Sequence, residues 1–392
     1  MASTETASLS SLERYRRIIY VIRLCARICG ADISSPDWHW SWLTRLIVSL
    51  CLCFYIGTFY TIYVGVIVHK DWTILMDAAC CLGAGVQGLT KLFCVIAHRH
   101  ALRESQEFLD ATFMEYEQKH MGYQQVLMDG IAMTMRGINS FVVFNCVALL
   151  VVIAIPATYY ILYNEKHVII QFLLPGIDPN TNTGFLILSG IHIGLLSLGA
   201  FGQFAGDMYL FVFINNLPML KNILGCGLQD LNDLLDDNCS QAELHAEMVK
   251  IVNLHQQYLR LLEHTQRIFF HPIFVQIFAT ASGILCTMFC MLIGVWPGAP
   301  AYLGYSIVTL YFYCGLGNIV ELSNEDCCTI IYTKCQWYRL PIPYQKLLLF
   351  MLHKSQDVQN LTIGNMMPLS MNTAVQLSKA IYSILMLLLS SE

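Results

Sequence analysis

Four groups of residues in this 392-residue chain carry side chains able to bind metals, move protons or act as nucleophiles. His98-Arg99-His100 offers two imidazoles, but no carboxylate or Cys stands at ligand spacing, so the trio reads as a basic cluster ending a helix. Cys80-Cys81 and Cys327-Cys328 lack the Cys-x-x-Cys spacing of zinc and redox sites, which leaves packing as their role. Glu243, Glu247, His255 and His264 fall on a helical stretch. They read as its solvated face, opposite an apolar stripe through Met248, Ile251, Val252, Tyr258, Leu259 and Leu262. No nucleophile elbow, P-loop or dinucleotide fingerprint occurs. No enzyme is expected, and neither a metal nor a cofactor.

The elements that must position these residues are membrane spans. Charged residues make up 12% of the chain and hydrophobic ones 56%, whereas a soluble domain is about 25% charged. Apolar runs long enough to cross a bilayer, roughly 20 residues each, fall at 43–68, 73–97, 131–162, 184–214, 268–295, 301–322 and 369–389. The longest are expected to continue beyond the bilayer as helix. Residues 1–42 are arginine-rich without a compact apolar stretch, so no cleavable signal peptide is expected. The fold class is an all-α membrane protein with seven transmembrane helices, since only helices and closed barrels satisfy every backbone group in hydrocarbon.

Charge sets the orientation. With the N-terminus inside, the cytoplasmic segments are 1–42, 98–130, 215–267 and 323–368. Nineteen of the 22 Lys and Arg then lie in those segments or at adjoining helix ends (Arg45, Lys91, Arg136). Lys70 and Lys166 fall outside, and Lys379 within the last span. The positive-inside bias therefore places the N-terminus in the cytosol and the C-terminus outside. The 16 Cys avoid the outer segments 69–72, 163–183, 296–300 and 390–392, so no structural disulfide is expected. The sequons at Asn238 and Asn360 fall in cytoplasmic segments and are expected unmodified. No basic patch with interleaved aromatics points to nucleic acid.

Three features within the spans call for more than lipid contact. Span four carries Gly190-x3-Gly194 and Gly202-x3-Gly206, pairs that let helices approach closely. Asp207 lies near its inner end, suited either to a functional role or to a structural hydrogen bond with a neighbouring helix. In span seven, Asn372, Gln376, Lys379, Tyr382, Ser383 and Ser390 make one face too polar for lipid. That face suits a water-filled path, a partner subunit or a bundle interior. Aromatics and Met gather in the outer halves of the spans, with Trp72 and Tyr302 beside the loops as interface anchors. An apolar pocket among them would suit a small hydrophobic ligand.

The last third of the chain resembles the insect odorant receptor family. The resemblance rests on Tyr313-Cys314-Gly315-Leu316-Gly317-Asn318 closing span six, and on Tyr332 followed by Cys335-Gln336-Trp337-Tyr338. It continues through 346–351 ahead of a Gln, then Pro368-Leu369-Ser370 opening a helix with Ala380-Ile381-Tyr382-Ser383. Together these cover roughly residues 311–389 in the family's order and spacing. The Thr-Tyr and Gln-Phe signature of gustatory receptors is absent from the last span. Pro341 and Pro343 before Lys346, and Lys379 at a position small and neutral in the co-receptor pattern, are departures.

That resemblance implies an odorant-gated cation channel in the plasma membrane of an olfactory neuron, a tetramer around one pore. Its tuning subunits bind a small volatile odorant, and an obligate odorant co-receptor completes the channel. The co-receptor carries a much longer insert than 215–267, so this chain resembles a tuning subunit. In the family, cytoplasmic helices of spans four to seven form an anchor between subunits, which places 215–267 and 323–368 there. Family pockets lie in the outer leaflet among spans two, three, four and six. By span and depth that implies Met76, Ala79, Cys80, Ala148, Val151, Val152, Ile187, Ile191, Tyr305 and Thr309, with Tyr305 foremost. The implied pore residues are Leu387 as an apolar gate, with Ser390 and Ser391 beyond it in the seventh span, 369–392. A transporter or a metabotropic, gustatory-like receptor is the alternative reading, though paired broken helices and midplane charges in two related halves are missing.

Overall fold

The structure, a computed structural model, describes residues 10–33, 38–68, 70–170, 172–236, 240–293, 297–357 and 360–390, with every side chain among them except those of Asp77 and Leu389. Helix α1 (Ser11–Ile28) opens with a capping box in which Ser10 and Glu13 each accept the other's backbone N–H. There follow α2 (Trp42–Tyr63), α3 (Thr73–Ala97), α4 (Arg99–Tyr116), α5 (Met121–Tyr163), α6 (Asn182–Asp236), α7 (Gln241–Ile293), α8 (Ala299–Lys334), α9 (Ile342–Gln356) and α10 (Met371–Ser390). Six of these, α2, α3, α5, α6, α7 and α8, are long and apolar enough to cross a bilayer. α10 has the length, about 30 Å for its 20 residues, but carries the polar face noted above.

The four central helices outrun any membrane. α6 has 55 residues and spans about 80 Å at 1.5 Å per residue, against a hydrocarbon core of about 30 Å. The surplus of α5 to α8 projects from the Lys/Arg-rich end, where the helices pack on one another in continuity with the core of the spans. The core there includes Tyr123, Leu224, Leu228, Met248, Tyr258 and Ile331, all buried. Polar ties cross it. Lys221 bridges to Asp326 at 2.6 Å, the Tyr258 hydroxyl donates to Asn324 Oδ1 at 2.6 Å, and Asn324 Nδ2 donates to Asn360 Oδ1 at 2.9 Å. Asn360 is thereby engaged inside the protein, while Asn238 lies outside the described residues.

One expectation is overturned here. His255 is not on a solvated face, since it is 2% exposed and shares a 2.7 Å hydrogen bond with Ser355 of α9, and His264, its side chain 12% exposed, is tied to Ser105 at 3.1 Å. Helical periodicity explains His255, because Met248, Ile251, His255, Tyr258 and Leu262 advance in steps of three and four along one stripe. Pro341 and Pro343, the departures noted in the sequence, sit at the N-cap and first turn of α9, where a missing N–H costs nothing.

Between α9 and α10 the chain makes a two-stranded antiparallel hairpin, β1 (Thr362–Ile363) against β2 (Met367–Pro368). Its turn residues Gly364 and Asn365 both take φ near +59°, the left-handed pair a tight hairpin requires. The hairpin delivers Leu369 against α8. A methyl at Gly317 would overlap the Leu369 carbonyl, so glycine there permits the approach.

Candidate functional site

The residues expected at the ligand site separate into inward and outward sets. Cys80 is buried, its thiol 3.7 Å from Thr287 Oγ1 and 3.9 Å from the Gly283 carbonyl of α7. Thr309 is buried, and its hydroxyl donates to the Tyr305 carbonyl at 2.8 Å. Tyr305 points inward and stacks on Phe144 of α5, with ring centres 5.5 Å apart and planes 5° from parallel. Met76, Ala148, Val152 and Ile191 are half-buried, whereas Ala79, Val151 and Ile187 are exposed on the protomer. The structure thus joins α5 to α8 through Tyr305 and α3 to α7 through Cys80. An apolar groove of about 420 Å³ lies elsewhere, between α2, α3 and α7, lined by Tyr55, Val86, Phe93 and His271 among others. None of the ten ligand candidates lines it.

No local pattern singles out Phe144, and a second set of rings, distinct from its stack, ties the same helices. Phe141 stacks on Phe312 at 4.6 Å, and Phe312 lies 5.9 Å from Phe211 with planes 4° apart. Gly137 makes this possible, since a methyl there would overlap the Phe211 ring. Such a set ties α5, α6 and α8 by contact alone, which suits a membrane interior. Tyr302 is turned inward from the interface position expected for it: its hydroxyl would lie 3.3 Å from a methyl at Gly283. Trp72 stays 47% exposed and packs beside Phe289 at 5.7 Å. The lining is aromatic and aliphatic with scattered hydroxyls and one thiol. It can hold an apolar molecule and offer it one or two hydrogen bonds.

Below that layer sits a polar knot. Lys91 of α3 is 5% exposed and Asp207 of α6 is 9% exposed, and they pair at 2.5 Å. The Tyr313 hydroxyl of α8 donates to the same Asp207 oxygen, and Lys91 also donates to Gln203 Oε1 at 2.6 Å. Counting Lys91 as an inner helix end misplaces it: it is an interior partner of Asp207. Gly206 leaves room for its stem, since a methyl there would meet Lys91 Cδ at 3.2 Å. Gly202 lies 3.6 Å from Cys29 on the same measure, whereas Gly190 and Gly194 face open space. Asp207 therefore has a built structural role, and the first glycine pair packs against nothing in this protomer.

At the other end of the chain, Thr373, Ala374, Ile381 and Leu385 of α10 are buried. The opposite face, Asn372, Gln376, Lys379, Tyr382, Ser383 and Ser390, is exposed throughout. Leu387 is 67% exposed, and Ser391 lies outside the described residues.

A family model described as "7tm Odorant receptor" matches residues 71–382. The chain belongs to the insect odorant receptor family. Its sequence is 23% identical to a Drosophila melanogaster protein named as odorant receptor 83c, across 98% of this chain and 99% of that one. It is 24% identical to Odorant receptor 2a of the same fly, across 55% and 58%. The fold matches the solved insect olfactory receptor OR5 from Machilis hrabei with a TM-score of 0.78 at 13% identity, covering 98% of this chain and all of that one. The same protein in complex with eugenol matches at a TM-score of 0.74 and 12% identity. In this odorant receptor α10 adds to the six apolar spans to give the family's seven membrane helices, and among the described residues α1, α4 and α9 lie beside them.

Proposed function

We propose that this receptor is a tuning subunit that binds a small volatile odorant in the outer half of the bundle and, with an odorant co-receptor, gates a non-selective cation channel in the plasma membrane. The observation that carries the reading is the exposed polar face of α10. A lipid-facing helix would not present Asn372, Gln376, Lys379 and Ser390 together, and the protomer's own bundle leaves them uncovered. Copies arranged around an axis would turn that face to water, with Leu387 as an apolar ring that dewets and closes the path. Oligomer formation is supported independently at the Lys/Arg-rich end. There Tyr332, Tyr338, Ile342, Leu349, Phe350 and Met366 lie exposed beyond the spans, an apolar surface unsuited to bulk water.

Odorant binding is supported by the Tyr305–Phe144 stack, and a relative of the same fold solved with eugenol is consistent with a ligand of that size. The test is whole-cell recording from cells expressing this chain with an odorant co-receptor, challenged with volatile alcohols, esters, ketones and phenols, eugenol among them. Inward cation current that starts without nucleotide or G protein, and is absent when either subunit is omitted, is the expected result. Silence across the panel with normal surface expression refutes the reading, and a current that depends on G protein turns it into a metabotropic one.

A further inference from the structure

A membrane helix bundle has no hydrophobic reason to retain a buried lysine and aspartate. Apolar replacements of similar volume hold helices together as well or better, so such a pair is best accounted for by registry or switching. Here the pair is closed on all sides within the chain. Lys91 serves Asp207 and Gln203, the Tyr313 hydroxyl serves Asp207, and Gln203 Nε2 donates to the Ala84 carbonyl of α3 at 3.0 Å. Three spans, α3, α6 and α8, meet in one network that can be either intact or broken.

The place of the knot along α8 gives it a use. Tyr305, Thr309, Tyr313 and Gly317 follow at intervals of four and form one slowly turning stripe on that helix. Tyr305 stacks on Phe144, Tyr313 closes the ion pair, and Gly317 abuts the Leu369 carbonyl just before α10 begins. Tyr313 lies about 12 Å below Tyr305 by helical rise, with α8 as the rigid link between them. A ligand that separates Tyr305 from Phe144 displaces α8, and the displacement reaches the knot before it reaches span seven.

We infer that the Lys91–Asp207–Tyr313 knot is the coupling element of this receptor, holding α8 against α3 and α6 in the resting state and released when a ligand occupies the site at Tyr305. The inference rests on the channel reading above. Its residues touch no ligand; they act by positioning α8. A discrete network biased from one side by ligand and from the other by span seven is what coupling requires physically.

The test uses the full chain with the odorant co-receptor and compares wild type, Tyr313→Phe, and the neutral pair Lys91→Met with Asp207→Asn. Tyr313→Phe keeps the ring and the ion pair and removes only the tie to α8. The double replacement leaves no unpaired buried charge, unlike either single change. Resting current per surface-labelled receptor, above that of the co-receptor alone, is expected to rise about fivefold or more in both, with a matching fall in the half-maximal concentration of whichever panel odorant activates wild type. A merely structural knot would lower surface labelling and leave resting current per receptor and odorant sensitivity unchanged. That outcome in Tyr313→Phe overturns the inference even if the double variant does not reach the surface. Failure of wild type to conduct would instead overturn the channel reading itself, so the two failures are distinguishable.

Discussion

His255 gives the sharpest quantitative expectation outside the membrane. Its ring is sealed between α7 and α9, bonded to Ser355 with the Cys327 thiol near the same hydroxyl, and burial lowers its pKa from 6.5 to about 4. The unfolded chain protonates this imidazole near its ordinary value, whereas the folded chain holds it neutral until about pH 4. Between those values the unfolded state binds more protons, so stability is full above pH 6.5 and falls as the pH drops. A gap of that size amounts to about 2 kcal/mol at about pH 5, rising to about 3 kcal/mol below pH 4. His255→Gln keeps a hydrogen-bonding group for Ser355 and cannot titrate. The assay is inactivation half-life of the detergent-purified receptor at about pH 7.5 and about pH 5, for wild type and variant, since unfolding of such proteins is commonly irreversible. Carboxylates contribute equally to both proteins and cancel in the comparison. Wild type is expected to lose roughly tenfold or more in half-life beyond what the variant loses, in line with about 2 kcal/mol. Equal acid sensitivity in the two proteins would refute the buried, neutral assignment.

Two further outcomes are expected. Phe144→Ala and Tyr305→Ala should each raise the half-maximal odorant concentration roughly fivefold, the loss of about 1 kcal/mol of aromatic contact, and the double variant should cost less than the sum because both remove one stack. Unchanged potency and odorant rank order at normal surface expression would remove Tyr305 from the ligand site. In cells with the co-receptor, Leu387→Ser should raise resting current, and Ser390→Cys should make the current sensitive to a water-soluble thiol reagent. If neither changes, span seven does not line the path.

Much of this molecule is legible in one dimension because hydrophobic length and helical period are local properties. The extension of α7 beyond the bilayer is written in the stripe from Met248 to Leu262. His255 belonged to the same stripe and was misread only because residue polarity was allowed to outrank its spacing. The Gly364-Asn365 turn likewise carried a local hairpin signal in its residue types. Other features had no local signal at all. Lys91 and Asp207 are 116 residues apart, and a lysine close to a helix end looks the same whether it snorkels to water or turns inward to a carboxylate. The Phe144–Tyr305 stack and the Gly137–Phe211 fit depend on the rotation of one helix about another, which composition does not encode.

The difference in packing between the two ends of the bundle follows from what each is immersed in. At the Lys/Arg-rich end, helices face water, and burying Leu224, Leu228, Met248 and Ile331 gains roughly 1.5–3 kcal/mol per side chain, so a dense core forms. In lipid that gain vanishes, because the alternative to a neighbouring helix is an equally apolar acyl chain. The buried share of the apolar stretch within the protomer runs from 6% in α5 to 44% in α7 and α8. Among the specific ties that join the spans there are the rings around Phe312, the Cys80 contact with α7, and the Lys91–Asp207–Tyr313 knot. A ligand worth about 5–8 kcal/mol, as about ten heavy atoms allow, cannot reorganise the water-side core, but it is commensurate with ties of about 1 kcal/mol each in the membrane half. The same solvent physics that builds the core outside the bilayer therefore leaves the part facing the odorant able to respond to it.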